Sequence, residues 1–366
     1  MDLQRTKLFD SHQELKAKLA PFAGFEMPIQ YTSVKDEVFS VRNHVGIFDV
    51  SHMGEFFIEG EEASHFVDYL VTNDIKGAAA GRAIYTPLCR EDGTVVDDMI
   101  VYKISMNKIL LCVNASNMQK DWEHINRIKG TTHFKCTLTN HTDDYSLIAI
   151  QGPKAARMAI DAGILSVGEE SGFAYYGVME ATYQQKNIIV ARTGYTGEDG
   201  FELFCDHESA RKLWKKFLEM GAAPCGLAAR DVLRLEVCFP LYGHELSDEV
   251  TPLDSGLKWT VKAKASGFIG KAALDHYKAK YHFIKLLLPE GVPRQGYVVE
   301  DETNQEVGVI TSGTMSPTIG KGVALAHICK GKVATIDKNK KFWIIIRGKR
   351  YEAKLQEKAF IIGGHK

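Results

Sequence analysis

No apolar stretch in this sequence approaches the ~18 residues that a membrane-spanning helix needs. No charge of one sign prevails: 45 Lys and Arg stand against 46 Asp and Glu, a formal net charge of -1. No bulk field therefore favours nucleic acid or a membrane surface, and any anion site has to be local. No two of the seven cysteines form a CxxC pair, and the count is odd. Most lie in apolar runs such as Leu110-Leu111-Cys112-Val113, which reads as buried, reduced thiols. The opening residues Met1-Asp2-Leu3-Gln4-Arg5 show neither a secretory apolar core nor the Arg/Ser-rich, acid-poor look of a transit peptide, so the expected compartment is cytoplasmic. HExxH, a Cys/His cluster, GxSxG and a GK[ST] ending are all missing, so neither a metal site, a serine-hydrolase elbow nor a P-loop is expected.

The composition that remains is that of an ordinary globular protein, with 45% hydrophobic and 25% charged residues. At 366 residues the chain is too long for one simple core, and two or three domains are expected. An internal repeat organises the first two thirds. Its first copy reads as a strand over 55–59, a helix with Ala63, Phe66, Val67 and Leu70 at helical spacing, a strand pair over 83–104 turning at Glu91-Asp92-Gly93, a strand over 108–113 and a helix over 118–128. The second copy reads as a strand over 146–150, a helix after Gly152-Pro153, strands over 187–192 and 201–205, and a helix through Ala210, Leu213, Trp214 and Phe217 that Gly221 stops. That order suggests an α+β fold of two ferredoxin-like units with a ligand cleft between them. A linker with a short helix occupies 263–281. Strand patterns over 283–288, 295–300, 307–312, 322–328 and 341–346 then predict a small antiparallel barrel or sandwich. The expected division is therefore 1–262, a linker 263–281, and 282–366.

Four segments carry candidate chemistry. Asp97 and Asp98 sit inside the apolar strand Val95-Val96-Asp97-Asp98-Met99-Ile100-Val101, where alternation points them to opposite faces and at least one should be partly buried. The run Thr193 to Glu202 holds three glycines with GxxGxxG spacing, followed by a strand rather than the helix of a dinucleotide fingerprint. Such a run needs positive φ or close ligand approach, and Glu202, opposite Phe201 and Leu203, is free to face a pocket. On the helix after Gly226, Arg230 and Arg234 share one face, suited either to surface ion pairs or to a ligand's carboxylate or amide oxygen. Asp49, Ser51 and His52 lie close in sequence, but triads are assembled by fold, not by adjacency.

Taken in order, these segments resemble the glycine cleavage T-protein family along nearly the whole chain. The resemblance runs through Arg5-Thr6-Lys7-Leu8-Phe9-Asp10, Phe22-Ala23-Gly24-Phe25-Glu26-Met27-Pro28, Phe48-Asp49-Val50-Ser51-His52-Met53, Asp97-Asp98, Gln151-Gly152-Pro153, the run from Arg192 to Gly200, Gly226-Leu227-Ala228-Ala229-Arg230-Asp231, Leu241-Tyr242-Gly243 and Ile310-Thr311-Ser312-Gly313-Thr314. It implies two folate-binding subdomains arranged with a C-terminal barrel as a cloverleaf. It further implies tetrahydrofolate as co-substrate, without metal or flavin, and a lipoylated H-protein partner linked to the P- and L-proteins, with no nucleic acid or membrane. The implied reaction moves the methylene carbon of an aminomethyl group to tetrahydrofolate, with ammonia released and no protein nucleophile. By the same resemblance Asp98 matches the carboxylate beside the reactive folate nitrogens, and Tyr195, Glu202 and Arg230 match residues that hold folate, with Met53, Tyr85 and Asn114 lining the pocket.

Some positions depart from the family pattern. Phe239 stands where an aromatic hydroxyl is frequent, Lys7 and Ala359 replace common prolines, and the tail Ile361 to Lys366, without a tyrosine, is expected to make no ligand contact. Folate-dependent demethylases and the folate domains of sarcosine-type oxidases share the fold. The oxidases carry a flavin domain for which this chain has no room, and the demethylases lack the Asp-Asp and Gly-Tyr-Thr-Gly-Glu pattern. A folate-binding accessory protein would carry a Cys motif that is absent here. Lys35, Lys262 and Lys264 read as solvated surface, with docking of an acidic H-protein as the alternative.

Overall fold

The computed structural model describes residues 3–168 and 173–364. Its first sheet has five strands in the order Arg82–Cys89, Val95–Lys103, Lys108–Val113, Gly54–Glu59, Thr137–Asn140, antiparallel throughout. Leaving out the edge strand Arg82–Cys89, this is the ferredoxin-like order, with helices Ala63–Leu70 and Met118–Gly130 as the crossovers. The second sheet repeats the plan with Val178–Tyr183, Lys186–Ala191, Gly200–Cys205, Ser146–Gln151, Gly46–Asp49 and Ala223–Pro224. Its helices are Ala155–Asp161 and His207–Glu219, the latter capped by Asp206, whose side chain accepts from Glu208 N and Ser209 N. Gly221, at φ 88°, follows as the stop.

The strand Val178–Tyr183 escapes sequence reading because its burial alternates only weakly against solvent. A larger departure is the strand Gly46–Asp49, which precedes both repeats. It inserts into the second sheet, antiparallel to Ser146–Gln151 and parallel to Ala223–Pro224. The amino-terminal segment thus completes the second unit, not the first.

Strand alternation sorts the side chains into layers. Phe56 and Ile58 pack with Phe66, Val67 and Ile125 under the helices of the first unit. Phe201 and Leu203 do the same with Leu213, Trp214 and Phe217 in the second. Between the sheets lies a shared core that joins Phe57, Tyr102, Leu110 and Cys112 to Phe48, Leu147, Ala149, Ile189 and Phe204. Asp98 and Glu202 occupy strand positions on this inter-sheet face.

The carboxyl-terminal region is a closed six-stranded barrel in the order Tyr281–Leu288, Lys321–Cys329, Glu306–Ser316, Val298–Glu300, Phe342–Ile346, Lys349–Gln356. Closure comes from the last strand, which the sequence pattern leaves out because its outward residues are Lys, Arg, Glu and Gln. Helix Lys271–His276 lies in the connecting segment. Lys264, expected at the surface, is buried. Its ammonium donates to the carbonyls of Asp68, Val71 (2.7 Å) and Asn73 (3.0 Å), closing the end of helix Ala63–Leu70. The cysteines are all free, four of them buried. No helix among the described residues is long and apolar enough to cross a membrane. His365 and Lys366 of the tail, like Met1 and Asp2, lie outside the described residues.

Helix Leu227–Glu236 joins the barrel to the sheets. Arg234 and Glu245 are both fully buried and paired at 3.0 Å, and Arg234 also donates to Ser312 Oγ at 2.7 Å on a barrel strand. Arg234→Ala leaves Glu245 buried without its cation. We expect urea denaturation to show a loss of about 3–5 kcal/mol, whereas a loss under about 1 kcal/mol would make the pair dispensable.

Candidate active site

Asp98 projects from Val95–Lys103 into the inter-sheet layer and is 8% exposed. Tyr85 on the neighbouring strand donates its hydroxyl to Asp98 Oδ2 at 2.9 Å, and Asn114 Nδ2 reaches Asp98 Oδ1 at 3.2 Å. Burial, reinforced by the charge of Asp97 behind it, pushes the Asp98 carboxyl up to about 7. Both acids of the pair are buried, where at least one was expected to be, because helix Met118–Gly130 covers the face to which Asp97 points. Asp97 accepts from the Asn114 backbone N–H (3.0 Å), Asn114 Nδ2 (2.9 Å) and Asn117 Nδ2 (2.5 Å).

Across the layer, Glu202 Oε2 accepts from Tyr102 (2.8 Å) and Thr193 (2.5 Å). Both of these bonds fall on one oxygen, which leaves the other available. The glycines of the run 193–200 serve the chain itself. A Cβ at Gly194 would meet Gln151 Oε1 at 1.9 Å, one at Gly200 would meet the Ile150 carbonyl at 2.4 Å, and Gly197 takes φ 79°. Close approach by Ile150 and Gln151 at Gly194 and Gly200, and by Val237 at Gly197, accounts for these glycines within the chain.

Arg230 lies with its guanidinium carbon 4.9 Å from the Tyr195 ring centre. Its NH1 is buried and has no hydrogen-bond partner among the described residues. A buried donor without a partner is costly, so this atom points to a ligand acceptor. Arg234, four residues on, faces the barrel instead, so the two arginines divide the two roles. The Tyr195 hydroxyl donates to the Pro240 carbonyl, and its ring packs 5.8 Å from Phe239. The hydroxyl missing at Phe239 therefore leaves a ring contact in place. Met53 is half-buried against the inter-sheet core. His52 is held between the Phe22 and Phe25 rings, and burial, with the Arg230 cation adding to it, pushes it down to about 4.

Tyr85, Asp98 and Asn114 are thus joined directly, Tyr195 and Arg230 form a second pair, and Glu202 is held from the first sheet through Tyr102. The groups converge electrostatically. The Asp98 charge acts on both Tyr85 and Tyr195, and Glu202 and Arg230 both act on Cys112. Met53 has no direct bond to any of the other six. Sequence reasoning missed Tyr102, Asn117, Asp121, Glu55 and Trp259. Tyr102 was within reach, four residues beyond Asp98 and on the same strand face. Glu55 is buried beside Phe57 with neither oxygen bonded among the described residues, and burial raises it well above the carboxylate range. Trp259 is 58% exposed and stacks on Tyr85, ring centres 6.0 Å apart.

The sequence pattern of the GCVT N-terminal domain matches residues 8–265, and that of the glycine cleavage T-protein C-terminal barrel domain matches 282–361. The aminomethyltransferase of Thermosipho melanesiensis is 44% identical over 334 residues, covering 90% of each chain. That of Deinococcus deserti is 42% identical over 351 residues, covering 96% of this chain and 95% of the relative. The crystal structure of glycine cleavage system aminomethyltransferase T from Bartonella henselae superposes with a TM-score of 0.91 at 30% identity, covering 100% of this chain and 99% of that one. Two ferredoxin-like sheets, a closing barrel and a shared buried site define an enzyme of the aminomethyltransferase class. Within that class, the chain belongs to the glycine cleavage T-protein family.

A raised carboxyl makes a signed prediction. The folded chain holds the Asp98 proton to about 7, whereas the unfolded chain releases it near 3.9. The contribution of this group to stability is therefore full below about 4 and is lost as pH rises through about 7. Asp98→Asn is expected to remove that loss and to be more stable than the parent at pH 8, with the gap closing toward pH 4. Parallel stability curves for the two proteins from pH 4 to 8 would refute the raised carboxyl.

Proposed function

We propose that this enzyme transfers the methylene carbon of an aminomethyl group, carried on the lipoyl arm of the H-protein, to tetrahydrofolate. The products are 5,10-methylenetetrahydrofolate, ammonia and dihydrolipoyl H-protein. The reaction serves glycine catabolism together with the P- and L-proteins, in the cytoplasm. The observation that carries the reading is the buried, unpartnered Arg230 nitrogen. It lies in the same inter-sheet layer as Glu202, which has an acceptor oxygen to spare, and as Asp98, which is poised near neutrality.

These residues fit a flat, polar, partly anionic ligand. Glu202 accepts from an amino-pyrimidinone edge, Tyr195 and Met53 cover ring faces, and Arg230 meets a carbonyl or a glutamyl carboxylate. Tetrahydrofolate, when bound, supplies the nitrogens that take over the carbon. The chain's own contribution is to orient and to stabilise charge. Asp98, fixed by Tyr85 and Asn114, faces the reacting centre with a carboxyl that exchanges a proton near pH 7 and, ionised, supports developing positive charge. The division into a folate-binding region 1–262, a linker 263–281 and a barrel 282–366 belongs to the same reading.

Ammonia release from aminomethylated H-protein, with and without tetrahydrofolate, tests the reading. Release is expected only with tetrahydrofolate, and folate binding without release would leave an accessory folate-binding protein. Asp98→Ala should lower turnover by roughly 10²-fold or more with the fold intact, and near-normal turnover would remove Asp98 from the chemistry. By calorimetry Arg230→Ala should weaken tetrahydrofolate binding. Unchanged affinity would sink that assignment.

A further inference from the structure

Two buried carboxyls have no part in this scheme. Asp97 and Asp121 are each 0% exposed. Asp97 lies on the helix-covered face of the first sheet. Asp121 lies on the buried stripe of helix Met118–Gly130 with Ile125 and Ile128, a place where a charged side chain is out of keeping. The two carboxyls are within hydrogen-bonding reach of each other. Three N–H donors point at Asp97, but no donor among the described residues reaches either oxygen of Asp121. The described residues hold no cluster arranged for a metal ion. Two neighbouring carboxylates in a dry site cannot both ionise. The donors on Asp97 favour its charge, so the shared proton belongs on Asp121, which then has a hydroxyl to donate.

We propose that Asp121 is a positioning residue for Asp98: a neutral carboxylic acid hydrogen-bonded to ionised Asp97, keeping the pair at one negative charge and Asp97 fixed as the anchor of Asn114. Asn114 Nδ2 spans the gap, 2.9 Å from Asp97 Oδ1, 3.2 Å from Asp98 Oδ1 and 2.9 Å from the Asp98 carbonyl. Any shift in Asp97 therefore passes to Asp98, and the single charge behind Asp98 favours its protonated form. Burial and the charge of Asp97 both hold the Asp121 carboxyl well above the carboxylate range. Tyr85 donates to Asp98, and these acids also share their surroundings electrostatically: Tyr195 feels the charge of Asp98, Cys112 and Tyr242 that of Asp97, and Asp121 that of Lys120. Lys120 is itself engaged by the Tyr242 hydroxyl at 2.6 Å and by Asp248 at 3.2 Å. The benefit to Asp98 rests on the aminomethyl-transfer reading, whereas the proton on Asp121 does not.

Infrared difference spectra of the intact chain at pH 8, parent against Asp121→Asn, test the proton directly. A carbonyl band of a protonated carboxylic acid should vanish in the variant, and its persistence would overturn the proposal. Kinetics test the positioning. Asp121→Leu, which has no donor, should lower kcat about tenfold or more, with the KM for tetrahydrofolate within about twofold and circular dichroism unchanged. Asp121→Asn, whose amide can still donate to Asp97, should restore most of that loss and leave the Asp98 limb of the pH profile in place. The double variant Asp97→Asn/Asp121→Asn removes the charge and should move that limb acidward by about one unit or more. A limb that moves as far in Asp121→Asn alone would also overturn the proposal. A parent chain that releases no ammonia would defeat the transfer reading, and the infrared band would still decide the proton.

Discussion

Helix Leu227–Glu236 buries two opposite charges in its last turn, and neither is tolerable alone in a dry interior. Arg234 is neutralised by Glu245 and reaches Ser312 of the barrel. Glu236 is met by Arg42 at 2.7 Å and by Ser316 at 2.5 Å, again on the barrel. Arg42 in turn holds Glu198 at 2.8 Å and the Thr196 carbonyl at 2.7 Å, inside the glycine-rich loop. One helix therefore fixes the barrel, the amino-terminal helix Val34–Asn43 and the loop before Glu202 relative to one another. Arg230 rides on the same helix, so the unpartnered guanidinium nitrogen has a rigid mount.

Against that cation, whose NH1 has no partner among the described residues, the inter-sheet layer and its backing present acids: Asp98, Glu202 and Glu55, with Asp97 and Asp121 behind. Burial makes charge on each of them expensive, and the structure answers differently at each. Among the described residues Glu202 is given hydroxyl donors, Asp97 amide donors and Asp121 only another carboxyl, while Glu55 is given nothing. Asp98 is left between these extremes, with two donors on one side and a charge on the other. Such a graded set favours a ligand that becomes positive only transiently, since a permanently charged cavity would bind cations at rest.

Alternation made part of this legible in the sequence. The opposite faces of Asp97 and Asp98, and of Glu202 against Phe201 and Leu203, follow from a period of two and were readable before any fold was known. The helix and strand order of both repeats was readable for the same reason. Asp121 was not, because nothing in sequence distinguishes an acid on a helix's wet face from one turned inward against a strand acid 24 residues earlier. Arg234 failed in the converse way: its partner Glu245 lies beyond the end of the helix and the barrel serine 78 residues on, so neither the ion pair nor its burial follows from helical spacing. The sixth barrel strand was hidden by its charged outer face, and Gly46–Asp49 by having its partners a hundred residues downstream.

That last strand also bears on how the chain is made. Residues 46–49 sit between Ser146–Gln151 and Ala223–Pro224, so the amino-terminal segment has no sheet to join until more than half of the polypeptide exists. The first repeat can close on itself as it emerges from the ribosome, whereas the segment synthesised before either repeat has to wait for the second one. Order of synthesis and order of assembly are therefore inverted in this molecule. The step that joins beginning to middle is also the one that completes the shared layer, to which Phe48 of that strand contributes.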